Sequence, residues 1–264
     1  MRADFETIAV ERHDDHILLI TLNRPDVSNA MNTRMGLDLM EVFEGLSINL
    51  EGLRVVILTG CGQKAFCAGG DLKERKGMTD EAWLSQHAIF ERMVRAVLGC
   101  PIPIIAAVNG AAYGGGCEIA AAADFVYAST NARFALTEVT LGIMPGAGGT
   151  QNLSRAVGER RAKELILSGL PFSAAEAEAW GLVNRVVAPA ELLDVTFGIA
   201  RRIAGNGPIA VRQAKQSIHR GMQMSLWDGL AFEIEAYNRM VPTEDRREGV
   251  LAFNERRKPN FQGR

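Results

Sequence analysis

Short apolar runs separated by turn-forming residues make up the first two thirds of the chain. The runs with the length of a buried strand are HILLITL (16–22), RVVIL (54–58), the apolar centre of PIPIIAAVNG (101–110), FVYAS (125–129) and ARFAL (132–136). Between them, apolar residues at helical spacing predict helices over 35–46 and 81–98. Asn32 or Thr33 provides a cap for the first helix. Strands that alternate with helices predict an α/β core.

From about residue 189 the apolar spacing is helical throughout. It predicts helices over 192–204, 208–220, 225–240 and 245–256. Trp227, Phe232, Tyr237 and Phe253 lie in this tail, so we expect its helices to pack on another surface. The sequence contains no low-complexity segment and no clear repeat.

Composition narrows the class of protein. The 264 residues are 47% hydrophobic, with a net charge of -2, so nothing indicates attraction to nucleic acid or a membrane surface. Four cysteines without CxxC spacing predict free thiols in a reducing compartment. With four histidines and no HExxH motif, we predict no metal site. A charged N-terminus and the absence of an apolar run of ~18 residues predict a soluble, cytoplasmic protein, although removal of an organelle-targeting peptide stays open.

The segment GAAYGGGCEIAAAADF (110–125) combines glycines with a helix-forming stretch. Gly114, Gly115 and Gly116 allow close backbone approach to a ligand, and the helix start leaves N–H groups without internal partners. Such a site favours an anion or a developing oxyanion. Glu118 falls in the first turn, where the dipole favours its ionised form, and suits a general base. The alternative is a glutamate that only caps the helix.

Two further segments carry candidate chemistry. KAFCAGGDLKE (64–74) contains Gly69 and Gly70, whose N–H groups could converge with the first loop on one oxygen, unless they form an ordinary tight turn. ARFALTEVTLGIMPGAGGTQ (132–151) places Glu138 among apolar residues. If it is buried, desolvation raises its pKa and the two glutamates form an acid and base pair. The alternative is a solvated glutamate at a strand edge.

Residues 60–65, GCGQKA, fit the GxGxxA pattern of a dinucleotide site. No apolar helix follows them, and no acidic strand end lies at the usual distance, so the pattern does not predict a Rossmann site. GxxxxGK[ST] and GxSxG patterns do not occur, which disfavours a phosphate loop and a serine hydrolase.

Four ordered segments resemble the enoyl-CoA hydratase/isomerase (crotonase) family, and the resemblance covers nearly the whole chain. They are LNRPDVSNAMN, KAFCAGGDLKE, NGAAYGGGCEIAAAADF and TEVTLGIMPGAGGTQNLSRAVG. In order, they resemble the family's first coenzyme A loop, its adenine-binding and first oxyanion segment, its second oxyanion segment and its second catalytic segment. The resemblance implies a spiral of ββα units over residues 1–200 and a helical trimerisation region over residues 201–264. It also implies homotrimers, commonly paired into hexamers.

The resemblance implies roles for individual residues. The N–H groups of Gly70 and Gly115 would hold the thioester oxygen. Glu118 would deprotonate water for attack at Cβ, and Glu138 would protonate Cα. Gly146 matches the glycine that lines the water and acyl pocket. Other positions implied to bind the acyl-CoA are Arg24, Val27, Asn29, Ala30, Lys64, Ala65, Ala68, Gly69, Asp71, Leu72 and Gly114.

The implied activity is reversible hydration of a short-chain 2-enoyl-CoA, a carbon–oxygen lyase reaction of fatty acid β-oxidation. The thioester carries the electrons, so no metal or redox cofactor is expected and coenzyme A is part of the substrate. Family isomerases typically retain only the later glutamate, so the presence of both Glu118 and Glu138 favours hydration. Double-bond isomerisation and non-catalytic acyl-CoA binding stay open as alternatives.

Two departures from the family pattern are visible. Gly70 stands where many members have alanine, which keeps the N–H donor but loosens it, and Thr137 stands where many have proline. DLKERKGM (71–78) and the tail resemble the methylglutaconyl-CoA hydratase branch. Lys73, Arg75 or Lys76 could meet an acyl carboxylate, or the charge run could be a solvated helix start. The runner-up substrate is therefore 3-methylglutaconyl-CoA.

Overall fold

The computed structural model describes residues 4–264, whose strands form two sheets. The strands are β1 (Ile8–His13), β2 (Ile17–Leu22), β3 (Val55–Gly60), β4 (Ala65–Cys67), β5 (Ile104–Val108), β6 (Ala111–Tyr113), β7 (Phe125–Ser129), β8 (Arg133–Ala135), β9 (Phe172–Ser173) and β10 (Arg185–Val187). One sheet has the order β1-β2-β3-β5-β7-β10, and the other has the order β4-β6-β8-β9.

Helices follow or separate these strands. They are α1 (Thr33–Ile48), α2 (Leu72–Arg75), α3 (Asp80–Leu98), α4 (Gly115–Ala122), α5 (Gly149–Val157), α6 (Glu159–Ser168), α7 (Ala174–Ala179), α8 (Leu192–Ala204), α9 (Pro208–Gly221), α10 (Leu226–Asn238) and α11 (Glu244–Asn254). Short 3₁₀ segments cover Pro25–Val27, Glu138–Leu141 and Pro189–Glu191. The Asn32 side chain accepts a hydrogen bond from the N–H of Met35 and caps α1, as the sequence suggests.

The two sheets are built by a repeated path of the chain. β3, β5 and β7 lie side by side and parallel in the larger sheet, and each leads into a short strand of the smaller one, β4, β6 and β8, which are also parallel neighbours. A helix or helical segment follows each pair. The resulting spiral brings the ends of β4, β6 and β8, and the loops that follow them, to one region of the molecule.

Continuous apolar runs in the larger sheet reflect burial on both faces. Leu18, Ile20 and Leu58 belong to the main core, which α1 and α3 complete. The alternate residues, among them Ile17, Leu19 and Ile57, form a second core with Leu192, Ala200 and Ala204 of α8. The sheet is therefore sandwiched between helices, and the predicted α/β class is confirmed.

Several short elements of the structure differ from those that the sequence predicts. β1 was not predicted, because IAVERH carries charges on its exposed edge and reads as polar. β4 and β6 are three residues long and lie inside the glycine-rich segments, where no periodicity can develop. The sequence shows no clear repeat, although three strand pairs repeat in space. Each turn of the spiral needs only a few apolar residues, so its sequence does not have to repeat.

The C-terminal helices agree with the prediction, and their apolar side chains are largely open to solvent. α8 has the predicted bounds, and α9, α10 and α11 lie within one or two residues of theirs. Trp227 is 79% exposed and Phe253 is 84% exposed. The proposed division at 200/201 falls inside α8, and the division stays a prediction. Residues 1–3 of the predicted core unit lie outside the described range.

All four cysteines are free, and Cys67, Cys100 and Cys117 are buried. Within residues 4–264, no three His, Cys, Asp or Glu side chains are grouped so that they could hold a metal ion. In the same range, every helix is too short or too polar to cross a lipid bilayer.

Candidate active site

The loops that end the short parallel strands enclose a cavity of about 490 Å³. Its lining combines two glycine pairs, two glutamates, one arginine and a set of apolar side chains. A larger cavity of about 860 Å³ lies between α1, α3 and α9. Of its described lining residues, Glu51 alone carries a carboxyl group, so the smaller cavity is the candidate site.

Two glycine pairs meet at one wall of the cavity. Gly69 has a φ of +92°, and a Cβ there would lie 2.7 Å from the carbonyl oxygen of Tyr113 and 3.4 Å from the nitrogen of Gly115. The loops therefore approach more closely than any side chain at residue 69 would allow. The N–H groups of Gly70 and Gly115 donate no hydrogen bond to another described residue. They are available to a ligand oxygen, as the sequence suggested.

Backbone pairing holds the first glycine pair in place. The N–H of Met31 donates to the carbonyl of Gly69 at 2.7 Å, and the N–H of Asp71 donates to the carbonyl of Met31 at 2.9 Å. The Asp71 side chain also caps α2, and its Oδ2 pairs with Arg24 at 2.9 Å. These bonds fix the turn that leaves the Gly70 amide free.

Glu118 lies in the first turn of α4, as predicted, and is only 3% exposed. Its Oε1 accepts hydrogen bonds from the N–H groups of Ala147 and Gly149, both at 2.8 Å. Burial raises the pKa of Glu118 to about 7, although the two amides oppose this rise. At neutral pH the carboxyl group can therefore either accept or donate a proton.

Glu138 is the first residue of the 3₁₀ segment Glu138–Leu141 and lines the same cavity. Its Oε2 is buried and has no hydrogen-bond partner among the described residues. Burial raises the pKa of Glu138 as well. The sequence left open a solvated glutamate at a strand edge, and the structure excludes that alternative.

The protonation states differ from the expectation for Glu118. The helix N-terminus was expected to favour its ionised form, whereas desolvation outweighs this effect and moves its pKa upward. The Glu138 carboxyl group contributes to the same rise. Both acids are thus shifted in the direction that keeps a proton at higher pH.

Two further glycines shape the cavity around these groups. A Cβ at Gly149 would lie 2.9 Å from both Cγ and Oε1 of Glu118. At Gly146 it would lie 2.5 Å from Cε1 of His87. A side chain at either position would displace a group of the site.

The predicted site residues fall into two sets. The set that lines the cavity consists of Ala68, Gly69, Gly70, Leu72, Gly114, Gly115, Glu118, Glu138 and Gly146. Those outside it are Arg24, Val27, Asn29, Ala30, Lys64, Ala65 and Asp71, which the resemblance assigned mainly to the coenzyme A moiety. Asn29 is 1% exposed, and its Nδ2 donates to the carbonyls of Cys61 and Ala65. Its side chain therefore has a structural role in holding the loop.

Sequence reasoning missed most of the apolar wall. The additional lining residues are Met31, Trp83, Leu84, His87, Phe90, Leu141, Ile143, Met144, Pro145 and Ala147. Trp83, His87 and Phe90 recur at helical spacing along one face of α3, which is a signal visible in the sequence. That signal predicts a buried helix face and does not distinguish a core from a site.

The GxGxxA pattern at 60–65 leads into β4 and not into a helix. The geometry of a dinucleotide-binding turn, in which the pyrophosphate meets a helix N-terminus, is therefore absent from this segment. This agrees with the sequence interpretation.

Comparisons with known proteins show the family to which this chain belongs. The sequence model of the enoyl-CoA hydratase/isomerase family matches residues 12–264. The chain is 45% identical to the short-chain-enoyl-CoA hydratase of Clostridium acetobutylicum, over 92% of each chain. It is 39% identical to the 2,3-dehydroadipyl-CoA hydratase of Escherichia coli, over 94% of this chain and 96% of that one.

Solved structures give the same result for the fold. The crystal structure of an enoyl-CoA hydratase from Bacillus anthracis superimposes with a TM-score of 0.96 at 44% identity, covering 98% of this chain and 100% of that one. The crotonase-type spiral predicted from the four segments is therefore confirmed. With the family match spanning almost the whole sequence, this chain belongs to the enoyl-CoA hydratase/isomerase family.

Proposed function

We propose that the protein hydrates short-chain 2-enoyl-CoA thioesters to 3-hydroxyacyl-CoA, and catalyses the reverse dehydration. The observation that carries this proposal is the pair of desolvated carboxyl groups, Glu118 and Glu138, in one cavity with two free backbone amides. A relative 45% identical is named a short-chain-enoyl-CoA hydratase, which supports the chain length.

The proposed first step polarises the substrate. The N–H groups of Gly70 and Gly115 donate to the thioester oxygen, whose negative charge grows as the enolate forms. Because each amide has no other partner, no hydrogen bond must break first. One such donor contributes roughly 3–4 kcal/mol to lowering a barrier.

Proton transfers complete the proposed reaction. The Glu118 carboxylate takes a proton from water while the water oxygen bonds to Cβ, and the electrons of the 2,3 double bond move towards the thioester oxygen. The Glu138 carboxyl group then gives its proton to Cα as the enolate collapses. A pKa of about 7 suits Glu118 to this exchange at neutral pH. The thioester carries the electrons, and the proposal requires no cofactor.

We also propose an oligomeric state and a cellular location. The exposed apolar residues of α10 and α11, among them Trp227 and Phe253, support a homotrimer or homohexamer in which copies of the chain cover them. Four free cysteines support a reducing, cytoplasmic location.

A second candidate substrate is 3-methylglutaconyl-CoA, whose acyl group ends in a carboxylate. Of the three basic residues predicted near the acyl pocket, Arg75 lines the cavity, which favours this candidate. The similarity to a 2,3-dehydroadipyl-CoA hydratase, which acts on another diacid thioester, supports it further.

Loss of the enoyl-thioester absorbance tests the proposal. Crotonyl-CoA and 3-methylglutaconyl-CoA are each incubated with the wild type, and a 3-enoyl-CoA tests for isomerisation. We expect rapid loss of absorbance with at least one 2-enoyl-CoA and formation of the 3-hydroxyacyl product. If only the 3-enoyl-CoA is turned over, the proposed activity would be isomerisation and not hydration. Tight binding of acyl-CoA without any turnover would indicate a binding protein.

A further inference from the structure

Arg75 places a cation inside the catalytic cavity. It is the last residue of α2, and its guanidinium group lies over the ring of Trp83, with Cζ 4.5 Å from the ring centroid, and 5.7 Å from that of Phe90. Lys73 and Lys76, its basic neighbours in the chain, are exposed and outside the cavity lining. Of the basic run KERK, only the arginine turns inward.

The Arg75 guanidinium forms no salt bridge with any residue in the range 4–264. Its Nε donates to Oε1 of Gln86 at 2.8 Å, whereas Nη1 and Nη2 donate no hydrogen bond to a described residue. No described carboxylate oxygen lies within 4.0 Å of it, although Glu74, and less strongly Glu138 and Glu118, are close enough to act on it electrostatically. A partly desolvated charge without a carboxylate in direct contact is costly for the fold. Two free donors at one end of the group match the two oxygens of a carboxylate.

A buried network holds the guanidinium in this orientation. Gln86 is 3% exposed, and its Nε2 donates to Oγ1 of Thr33 and Oε2 of Glu74, both at 2.8 Å. The same Glu74 oxygen accepts from the N–H of Thr33 at 2.9 Å. Residues of α1 and α2 therefore fix the Gln86 amide of α3, which in turn holds the Nε side of Arg75 and leaves its other side facing the cavity.

Gly70 makes room for this arrangement. A Cβ at residue 70 would lie 3.1 Å from both Cζ and Nη1 of Arg75, closer than a methyl group ordinarily approaches. The guanidinium group therefore packs against the residue whose N–H is proposed to hold the thioester oxygen. A group bound by Arg75 must lie a short distance along the acyl chain from the thioester.

We propose that Arg75 binds a carboxylate at the far end of a short acyl chain, so that the preferred substrate is the 2-enoyl-CoA thioester of a dicarboxylic acid. This rests on the proposed hydratase function. The carboxylate sits close beyond Cβ, because Arg75 adjoins both the oxyanion amide of Gly70 and the two glutamates. Gln86 is a positioning residue, and the absence of a methyl group at residue 70 provides the space.

A matched pair of substrates tests the assignment. Glutaconyl-CoA carries a carboxylate one methylene beyond Cβ, and 5-methyl-2-hexenoyl-CoA has two methyl groups in place of its two oxygens. We expect the wild type to favour the diacid in kcat/KM. Arg75→Met should lower the ratio of diacid to neutral kcat/KM by about 10- to 100-fold, the usual worth of charged hydrogen bonds. Both substrates are measured on one preparation, so any loss of folded protein cancels in the ratio.

Matched variants distinguish binding of the substrate carboxylate by Arg75 from a general effect of positive charge on the site. Lys73→Met and Lys76→Met remove the same charge from exposed positions and should leave the ratio unchanged. Gln86→Met should lower the ratio less than Arg75→Met, mainly through KM for the diacid. If Arg75 only tunes the two glutamates, its removal will change both substrates by the same factor, which would overturn the assignment.

A binding measurement keeps this test independent of turnover. The Kd values of glutaryl-CoA and 5-methylhexanoyl-CoA, the saturated counterparts, are compared by calorimetry for the wild type and Arg75→Met. We expect the diacid to bind more tightly, and this advantage to disappear in the variant. Equal or weaker binding of the diacid by the wild type would overturn the role of Arg75 even if crotonyl-CoA is hydrated. Selective diacid binding without hydration would support Arg75 and refute the hydratase proposal.

Discussion

Glu118 and Glu138 line one cavity, but the segments that carry them hold their carboxyl groups differently. Glu118 stands on a regular helix, and two amides from the 147–149 turn bind one of its oxygens. Glu138 begins a short 3₁₀ segment, and its Oε2 has no partner among the described residues. Hydrogen bonds therefore fix the orientation of the Glu118 carboxyl group, whereas one oxygen of the Glu138 carboxyl group is buried without such a bond.

This difference separates two ways of raising a pKa. At Glu118, desolvation prevails over two hydrogen bonds that favour the charged form, and the pKa reaches about 7. At Glu138, burial raises the pKa against a hydrogen bond from the residue's own backbone N–H and against the charge of Arg75. An oriented carboxyl group suits the positioning of water, and a carboxyl group with one unpartnered oxygen suits the release of a proton to carbon.

Removing either carboxyl group gives the largest expected effect. Glu118→Ala and Glu138→Ala should each lower kcat/KM for the better 2-enoyl-CoA substrate by about 10²–10⁴-fold, the range for a general acid or base. Binding of the saturated acyl-CoA should change far less. Glu164→Ala, which removes an exposed carboxyl group of α6, is the control for both variants. Full activity of either active-site variant would remove that glutamate from the mechanism.

Crowding the held carboxyl group should have the next largest effect. Gly149→Ala puts a methyl group 2.9 Å from Cγ and Oε1 of Glu118 and must displace it. A shift of about 1 Å in a catalytic group can cost about 10²-fold, so we expect kcat to fall by about 10- to 100-fold. Gly45→Ala is the matched control, because a Cβ in that part of α1 meets nothing within 4 Å. Unchanged kcat in Gly149→Ala would mean that the orientation of Glu118 is unimportant.

The burial of Glu118 should also be visible in stability. Its pKa is about 7 in the folded chain against an ordinary value of 4.5. The contribution of the protonated Glu118 to the free energy of unfolding is therefore complete below about pH 4.5 and is lost as the pH rises through 7. Glu118→Gln should raise the free energy of unfolding by about 2–3 kcal/mol at pH 8, and much less at pH 4.5. Urea unfolding at matched protein concentration measures both, and equal effects at the two pH values would contradict the pKa shift.

The smallest expected effect is the coupling between the two acids. The Glu138 charge helps to raise the pKa of Glu118, so Glu138→Gln should lower the Glu118 titration midpoint. NMR of carboxyl-labelled glutamate can follow this midpoint, with Glu164→Gln as the control. An unchanged or higher midpoint would show that the two groups titrate independently.

Much of this architecture could be predicted from local sequence. Helices α1 and α3 and the C-terminal helices carry apolar residues at helical spacing over several turns, and the longer strands are apolar throughout. The sequence therefore predicts that these elements exist and gives their approximate bounds. The three-residue strands β4 and β6 were not, because a strand of that length is stabilised by its neighbours and not by its own pattern. The apolar wall formed by Trp83, His87 and Phe90 was missed for a related reason: a helical stripe is equally typical of a core.

The sequence by itself determined which groups are available for chemistry: two glutamates, two glycine pairs able to expose their amides, and a run of basic residues. Only the tertiary structure decided how they act together. The spiral brings three loops, distant in sequence, to one cavity, where desolvation raises the pKa of Glu118 to about 7 although the helix N-terminus favours its ionised form. The same packing turns Arg75 inward and leaves Lys73 and Lys76 in solvent. The pKa of a group and the direction in which its side chain points depend on everything that surrounds it. Those surroundings come from remote parts of the chain.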